Sequence, residues 1–144
     1  MKHIIIISAM LLITNLVSGQ DISSADVPSV VRNTFKKTFP KSYHIEWEQK
    51  GDIYNAEFDI NWRDHEVWIS NTGAILKYKK EIKARELPLA ITAKIRQDFS
   101  GYSIDDIDQY EVNKQFYYKV ELKKHHGDRT ILFDKRGEIS NVVL

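Results

Sequence analysis

Cysteine is absent from this chain of 144 residues, and its absence excludes several kinds of chemistry. No disulfide can cross-link the fold, no thiolate can act as a nucleophile, and a zinc site would have to use histidine and carboxylate ligands alone. A lipid anchor carried on a cysteine behind a signal peptide is excluded as well. The fold must therefore be stabilised by burial of its hydrophobic residues, which make up 42% of the chain.

Net charge is nearly absent too. The chain has 21 lysines and arginines against 20 aspartates and glutamates, which gives a formal charge of +1. One of the 21, Lys2, lies in the predicted leader described below, so the mature chain would carry equal numbers of each sign. A neutral protein has no long-range field that gathers phosphate backbones or anionic lipid. The balance argues against nucleic acid or a membrane surface as the main partner.

Signatures of catalysis and of cofactor binding are missing from the sequence. There is no Gly-x-Ser-x-Gly elbow and no glycine-rich phosphate loop. The segment His125-His126-Gly127-Asp128 is the one dense group of metal-ligand residue types. Adjacent histidines on an extended chain point to opposite sides, and a Gly-Asp pair is typical of a turn. We interpret the segment as a polar hairpin turn and predict no metal, no cofactor and no catalytic residue.

The first 19 residues have the three-part layout of a secretory signal peptide. A short basic start precedes the apolar run Ile4–Ile13, and small or β-branched residues at Val17 and Gly19 precede a cut before Gln20. The apolar run is shorter than the ~20 residues that a bilayer span needs. We therefore predict residues 1–19 to be a cleaved signal peptide, and the mature protein to be periplasmic or secreted, with no membrane insertion.

The rest of the chain contains an internal duplication. The offset between matching residues is sixty at the start of each copy and sixty-four further along. The matches are Val27-Pro28 with Leu87-Pro88, Tyr54–Phe58 with Tyr118–Leu122, Val67–Ile69 with Ile131–Phe133, and Gly73 with Gly137. The series predicts two repeats, residues 20–84 and residues 85–144, that together form one compact domain.

Each repeat begins with a helical pattern and continues with strand patterns. Apolar residues recur at helical spacing after each Val-Pro or Leu-Pro pair, and four segments of alternating polarity follow. The alternation assigns Ile45 and Trp47 to the core, while Tyr110 and Val112 alternate with Glu111. One sheet face is thus apolar and takes the helix, and the other faces water. We predict an α+β fold, a tandem repeat of two α-β4 units, each a helix packed on antiparallel strands, within one continuous sheet.

These residues resemble a known family. The pattern is carried by Val27-Pro28 with Val31, Phe35 and Phe39-Pro40, by Ile45-Glu46-Trp47, by Tyr54-x-Ala56-Glu57-Phe58, and by Leu87-Pro88 with Phe99-Ser100-Gly101-Tyr102. It is similar to the PepSY-like, β-lactamase-inhibitor-like proteins exported by Bacteroidetes, over nearly all of residues 26–144. The resemblance implies a tandem of α-β4 units, and inhibitors of that architecture present a concave sheet face to a partner protein. It supplies no catalytic motif.

The polar sheet face holds the candidate binding residues. By alternation, Trp68 lies on the side away from the helix, and its counterpart in the second repeat is Leu132. Tyr117 and Ile53 are predicted on that side, and Trp62 in the following loop is a weaker candidate. Large apolar groups within a polar face are what a protein-binding patch needs. The competing interpretation is that they cover a sheet edge, or that a one-residue register error has assigned them to the wrong face.

The favoured function is a non-catalytic protein-binding module, inhibitor-like or accessory to a sensor, whose partner is another envelope or extracellular protein. A second hypothesis is a periplasmic small-ligand binder with a pocket between helix and sheet. Its candidate hydroxyls are those of Tyr43, Tyr54, Tyr78, Tyr102 and Tyr118. A third is a hydrolase with a site that no motif reveals. The sequence leaves the oligomeric state open.

Overall fold

A computed structural model describes residues 19–125 and 127–144. The predicted signal peptide lies outside the described residues except for its last residue, Gly19. Across the described ranges, no helix combines the length and the apolar character needed to cross a bilayer.

The described residues form one antiparallel sheet of eight strands, whose order in space follows the order in the chain. Helix α1 precedes β2, helix α2 lies between β5 and β6, and a short 3-10 turn at Ala84–Glu86 leads into α2. The helices are α1 (Ser29–Thr38) and α2 (Leu89–Asp98), and the strands are β1 (Gln20–Asp21), β2 (Tyr43–Lys50), β3 (Ile53–Ile60), β4 (Arg63–Ser70), β5 (Ile75–Glu81), β6 (Ser103–Val112), β7 (Gln115–Lys123) and β8 (Arg129–Asp134).

Helix α1 packs the first hydrophobic core against strands β2 to β4. Val31 and Phe35 lie on its buried side, and Phe39 follows at the C-terminal end, where its N–H donates to the carbonyl of Phe35. The ring of Phe35 meets Phe58 edge-on at 4.9 Å and Trp47 at 5.1 Å between ring centroids. Each fully buried side chain of this size stabilises the fold by about 1.5–3 kcal/mol. The packing fixes α1 on one face of the sheet and leaves the opposite face uncovered by a helix.

Helix α2 builds a second core on the same sheet face. Ile91, Val120 and Phe133 are fully buried there, with Leu122 and Ile107 beside them. Strand β5 pairs with β6 from Lys77 opposite Val112 to Glu81 opposite Asp108, which joins the two repeats. The predicted continuous sheet is therefore confirmed.

The second repeat differs from the predicted α-β4 unit. After the turn at Gly137, Ile139 forms a single bridge to Phe133, and the N–H of Ser140 donates to the carbonyl of Leu132. Residues 139–144 make no further named strand, so this repeat shows a helix and three strands, and two full α-β4 units are not confirmed. The equivalent strand of the first repeat, β5, has neighbours on both sides. Only β8 flanks the C-terminal segment, so fewer backbone hydrogen bonds hold it extended.

Bulges change the surroundings of one predicted core residue, Ile45, and determine the side of the sheet on which Tyr110 lies. In β2 the register shifts between Tyr43 and Glu46, and His44 adopts a φ of 50°. Trp47 is buried as predicted, but Ile45 is 42% exposed. An equivalent bulge in β6 lies between Ile104 and Asp106.

Beyond that second bulge, Ile107 of β6 faces the helices, and by alternation so do Gln109 and Glu111. Glu111 pairs with Tyr78, which packs on the first core. Tyr110 and Val112 consequently lie on the face away from the helices. Their apolar character alone would have favoured the opposite, apolar face. The bulge, and not side-chain polarity, decides the side on which Tyr110 lies.

Candidate functional site

The sheet face opposite the helices, called the open face below, carries the candidate site. Side chains alternate between the two faces along each strand, so the strand register determines which residues share it. Its central row runs across six strands, and each member is the direct cross-strand partner of the next. The row consists of Glu57, Glu66, Lys79, Tyr110, Tyr117 and Asp134.

An aromatic strip lies across the middle of the open face, made of Trp68, Lys77, Tyr110 and Tyr117. Trp68 and Lys77 are cross-strand partners, and the Lys77 Nζ atom lies 3.6 Å from the centroid of the Trp68 ring. The same Nζ atom is 6.0 Å from the ring centroid of Tyr110, which pairs with Tyr117. An ammonium over an aromatic face is attracted by the negative charge of the ring face. Lys77 therefore links the two ends of the strip.

Burial shifts the pKa values of two groups in the aromatic strip. Tyr110 is only 8% exposed although neither α1 nor α2 covers it, and its cross-strand neighbours are Lys79 on β5 and Tyr117 on β7. Burial lowers the pKa of the Lys77 ammonium and raises the pKa of the Tyr110 hydroxyl. These groups are partly dehydrated before any partner arrives, which reduces the cost of removing water on binding.

Four of the five residues predicted for partner binding lie on the open face. Trp68 and Tyr117 belong to the aromatic strip, Ile53 pairs with Ser70 near one end of β3, and Leu132 pairs with Lys119 on β8. Trp62 is separate from them. It lies at the tip of the β3–β4 hairpin, 90% exposed, and its N–H donates to the hydroxyl of Tyr43 at 2.9 Å.

Sequence reasoning missed Tyr110 and Lys77 as members of the strip. The signal for Lys77 is its position opposite Trp68, but that pairing follows from the register of the β4–β5 hairpin, which shifts between Trp68 and Ile69. The signal for Tyr110 is hidden by the bulge in β6. Knowledge of both irregularities is needed before the strip can be recognised.

Acidic side chains outnumber basic ones on the open face, twelve to five. The register places on it Asp21, Glu46, Glu48, Glu57, Asp59, Asp64, Glu66, Glu81, Asp106, Asp108, Glu121 and Asp134, with the basic residues Lys50, Lys77, Lys79, Lys119 and Lys123. The chain as a whole is close to neutral. Charge is therefore segregated, with the excess of lysine and arginine on the helix side and in the loops.

The two halves of the open face differ in how their acids are paired. On β6 and β7, the Lys119 Nζ atom lies 3.0 Å from a carboxylate oxygen of Asp108. At the centre, Lys79 and Glu66 form an ion pair at 2.6 Å. On β2 and β3, the described residues place no lysine or arginine within 4 Å of the carboxylates of Glu46, Glu48 or Glu57. These three carboxylates therefore have no ion-pair partner among the described residues.

The pKa of Glu57 reflects this arrangement. Burial raises it first, and the nearby carboxylates of Glu66, Glu48 and Glu46 raise it further, while Lys79 opposes them. Two of these like charges lie directly across the strands, since Glu46 and Glu66 are the cross-strand partners of Glu57. Like charges in that position destabilise a sheet.

The predicted polar turn at residues 125–128 contains no metal site among the described residues, where no group of three or more histidine, aspartate or glutamate side chains could hold an ion. His126 lies outside the described residues. The N–H of Gly127 donates to the carbonyl of Lys124 at 3.2 Å, and Gly127 has a φ of 129°. The geometry is that of a turn in which glycine supplies the backbone conformation.

Four of the five tyrosine hydroxyls proposed for a ligand pocket have partners within the protein. The Tyr78 hydroxyl lies 2.6 Å from Nδ1 of His65, and the Tyr118 hydroxyl accepts from Gln109 at 3.0 Å. The hydroxyls of Tyr102 and Tyr43 likewise accept from Arg129 and from the backbone of Trp62. A cleft of about 330 Å³ does lie beside α1, but Arg32, Phe35, Ile45 and Trp47 line it with neighbouring residues, and the tyrosines do not. The geometry gives the small-ligand hypothesis no support.

The architecture is that of an antiparallel sheet backed by two helices, with an internal repeat, and comparison identifies the family. Residues 15–77 and residues 52–141 each match the sequence profile of the family described as "putative beta-lactamase-inhibitor-like, PepSY-like". The two matches together span most of the chain, so the protein belongs to this PepSY-like family. The double match agrees with the internal duplication. A comparison with curated proteins finds no match.

Solved structures from Bacteroides share the fold. A DUF2874 family protein from Bacteroides uniformis superposes with a TM-score of 0.69 at 24% identity, over 78% of this chain and 85% of that chain. A protein from Bacteroides eggerthii described as "putative periplasmic" gives 0.70 at 23% identity, over 78% and 85%. A BLIP-like protein from Bacteroides fragilis gives 0.67 at 22% identity, over 79% and 83%. At these identities the likeness establishes the fold alone.

Proposed function

We propose that this protein is an exported, non-catalytic binding module that holds another envelope or extracellular protein against its open face. The observation that supports this most is the aromatic strip. The rings of Trp68, Tyr110 and Tyr117 lie within a charged sheet face that neither α1 nor α2 covers. The β-lactamase-inhibitor-like description of the family fits a binding role of this kind.

The strip has the composition of an interface centre. A few residues supply most of the energy of a protein interface, and these are enriched in tryptophan, tyrosine and arginine at positions from which water is excluded. Polar residues around them set the orientation. Here the rim consists of Glu66, Lys79, Asp108 and Lys119, which are already held in ion pairs. A partner would meet a preorganised surface, so little side-chain ordering would oppose binding.

The test is a pull-down from the native envelope fraction with residues 20–144 as bait. Replacing Trp68 and Tyr117 together by alanine should abolish recovery of the partner, because truncating interface aromatics commonly costs 2 kcal/mol or more (about a thirtyfold loss of affinity). Trp62→Ala is the matched control, since Trp62 is exposed but lies away from the open face. Circular dichroism and thermal melting verify that all three baits are folded.

Equal recovery of the partner by wild type and by the Trp68→Ala/Tyr117→Ala variant would show that the interface lies outside the open face. Recovery of no partner with any bait would overturn the proposal. Loss of recovery with Trp62→Ala alone would place the interface at the β3–β4 hairpin tip.

Export is the other part of the proposal. It is supported by the layout of residues 1–19 and by the "periplasmic" description of the Bacteroides eggerthii structure. The intact mass of the protein recovered from the envelope should correspond to a chain that begins at Gln20. A mass that begins at Met1 would contradict cleavage.

A further inference from the structure

Among the described residues, five of the seven open-face acids without an ion pair lie on strands β1 to β4 (Asp21, Glu46, Glu48, Glu57 and Asp64), and the other two, Glu81 and Asp106, lie on β5 and β6. Glu46 and Glu57 are cross-strand partners, and so are Asp21 and Glu48. This acidic half, defined as Asp21, Glu46, Glu48 and Glu57, directly adjoins the aromatic strip, because Glu48, Asn55 and Trp68 form one cross-strand row. The acidic half and the aromatic strip therefore lie next to each other on the open face.

Asn55 lies between Glu48 and Trp68 in that cross-strand row. The amide nitrogen of Asn55 donates to a carboxylate oxygen of Glu66 at 2.7 Å. The Oδ1 atom of Asn55 is buried and receives no hydrogen bond from the described residues. The groups that this part of the face offers a partner are the exposed carboxylates of Glu46, Glu48 and Glu57, which accept hydrogen bonds.

We propose that the acidic half of the open face binds a cationic, lysine- or arginine-rich segment of the partner protein, beside an apolar group seated on Trp68. This inference rests on the proposed binding function and specifies the chemistry of the partner. Charge complementarity is the argument: an excess of carboxylates that have no ion-pair partner attracts ammonium and guanidinium groups and repels acidic surfaces.

Two contacts within the protein are of the kind proposed for the partner. Lys79 satisfies Glu66 by an ion pair, and Lys77 places its ammonium on the Trp68 ring. A partner lysine that reached Glu46, Glu48 or Glu57 would repeat the first contact one strand further along. It would also relieve the repulsion among these carboxylates, which disfavours the free protein.

The test uses two fluorescent peptides of defined chemistry, one of alternating lysine and leucine and one of alternating glutamate and leucine, with fluorescence anisotropy as the readout. The lysine peptide should bind the mature protein, with an affinity that falls as salt is raised, and the glutamate peptide should not bind. Glu46→Gln/Glu48→Gln/Glu57→Gln should weaken the lysine peptide about tenfold, since each exposed charge contributes a modest amount.

The matched control is Asp26→Asn/Asp98→Asn/Glu138→Gln. It changes the net charge of the protein by the same amount at exposed positions outside the open face. It should leave the affinity for the lysine peptide within about twofold of wild type, because charges beyond a Debye length of ~8–10 Å are screened. An equal loss in both triple variants would show a net-charge effect and overturn the inference.

Other outcomes separate this inference from the function on which it rests. If the Trp68→Ala/Tyr117→Ala bait loses an envelope partner while the lysine peptide binds no better than the glutamate peptide, the open face binds protein but the cationic partner is wrong. Salt-sensitive self-association of the mature protein in analytical ultracentrifugation, abolished by the open-face triple variant, would assign the acidic half to a second copy and also overturn it.

Discussion

Single residues in this protein are placed by polar partners as much as by hydrophobic burial. His65 is a polar member of the first core, 8% exposed, with its ring stacked between Phe58 and Tyr78. Its Nδ1 atom lies 2.6 Å from the Tyr78 hydroxyl. Burial raises the pKa of Tyr78 to about 12, so that hydroxyl keeps its proton throughout the physiological range. The pair is a neutral polar contact inside the aromatic core.

Acid should weaken the fold through His65. Burial lowers its pKa below 6.5, and the positive charges of Lys80 and Arg63 add to the effect. The folded state then binds a proton less readily than the unfolded state, so the stability that His65 contributes is complete above pH 6.5. It is lost as the pH falls from 6.5 through the lower folded pKa.

Urea unfolding at pH 7.5 and at pH 5 measures this loss. Wild type should lose more stability between the two pH values than His65→Gln, in which the amide can still meet the Tyr78 hydroxyl but does not titrate. His44→Gln is the control, because His44 is exposed. Identical pH dependence in wild type and His65→Gln would contradict the assignment.

At the scale of elements, the turns that follow β4 and β8 are fixed by close approach to a helix. Gly137 has a φ of 83°, and a Cβ atom there would lie 2.8 Å from the backbone oxygen of Ala90 in α2. Gly73 occupies the equivalent place against α1, where a Cβ atom would meet the side chains of Val30 and Thr34. Gly51 shares the positive φ, but nothing lies within 4 Å of its Cβ position.

Alanine substitutions should therefore follow a defined order of cost. Gly51→Ala should cost about 1–2 kcal/mol, the strain of a left-handed backbone alone. Gly137→Ala should cost at least about 1 kcal/mol more, because the backbone of α2 must move, and Gly73→Ala should fall between them because side chains can rotate away. Chemical denaturation ranks the three variants. Equal costs at Gly51 and Gly137 would show that packing of the turn on α2 is loose.

The sequence was informative about elements where periodicity alone decides them. The duplication, both helices and the side on which Trp68 lies all follow from spacing, and the structure agrees. Ile45 and Tyr110 could not be placed, because the bulges in β2 and β6 shift side-chain direction through a backbone conformation that residue polarity does not encode. For the candidate site, four of the five predicted residues share the open face, whereas Lys77 and Tyr110 needed the cross-strand register.

At the scale of the whole molecule, two hydrophobic cores share one sheet. Only a few residues of the chain separate them, because Tyr78 packs against the first core and Ile82, four residues later, is buried in the second. Strand β5 is also hydrogen-bonded to β4 of its own repeat and to β6 of the other. Displacement of β5 would therefore disturb both cores, which favours a single cooperative unit of unfolding.

Cooperativity can be tested with one conservative cavity in each core. Ile69→Val in the first core and Ile91→Val in the second each remove one methylene from a fully buried side chain, at a cost of about 0.5–1.5 kcal/mol. If the sheet unfolds as one unit, each substitution lowers the hydrogen-exchange protection of the Val67 and Val120 amides equally, although these lie in different repeats. Exchange is the suitable readout because all three tryptophans belong to the first repeat and fluorescence would not report on the second. If Ile91→Val lowered protection only at Val120, and Ile69→Val only at Val67, the repeats would be separate folding units joined by a strand pair that opens independently.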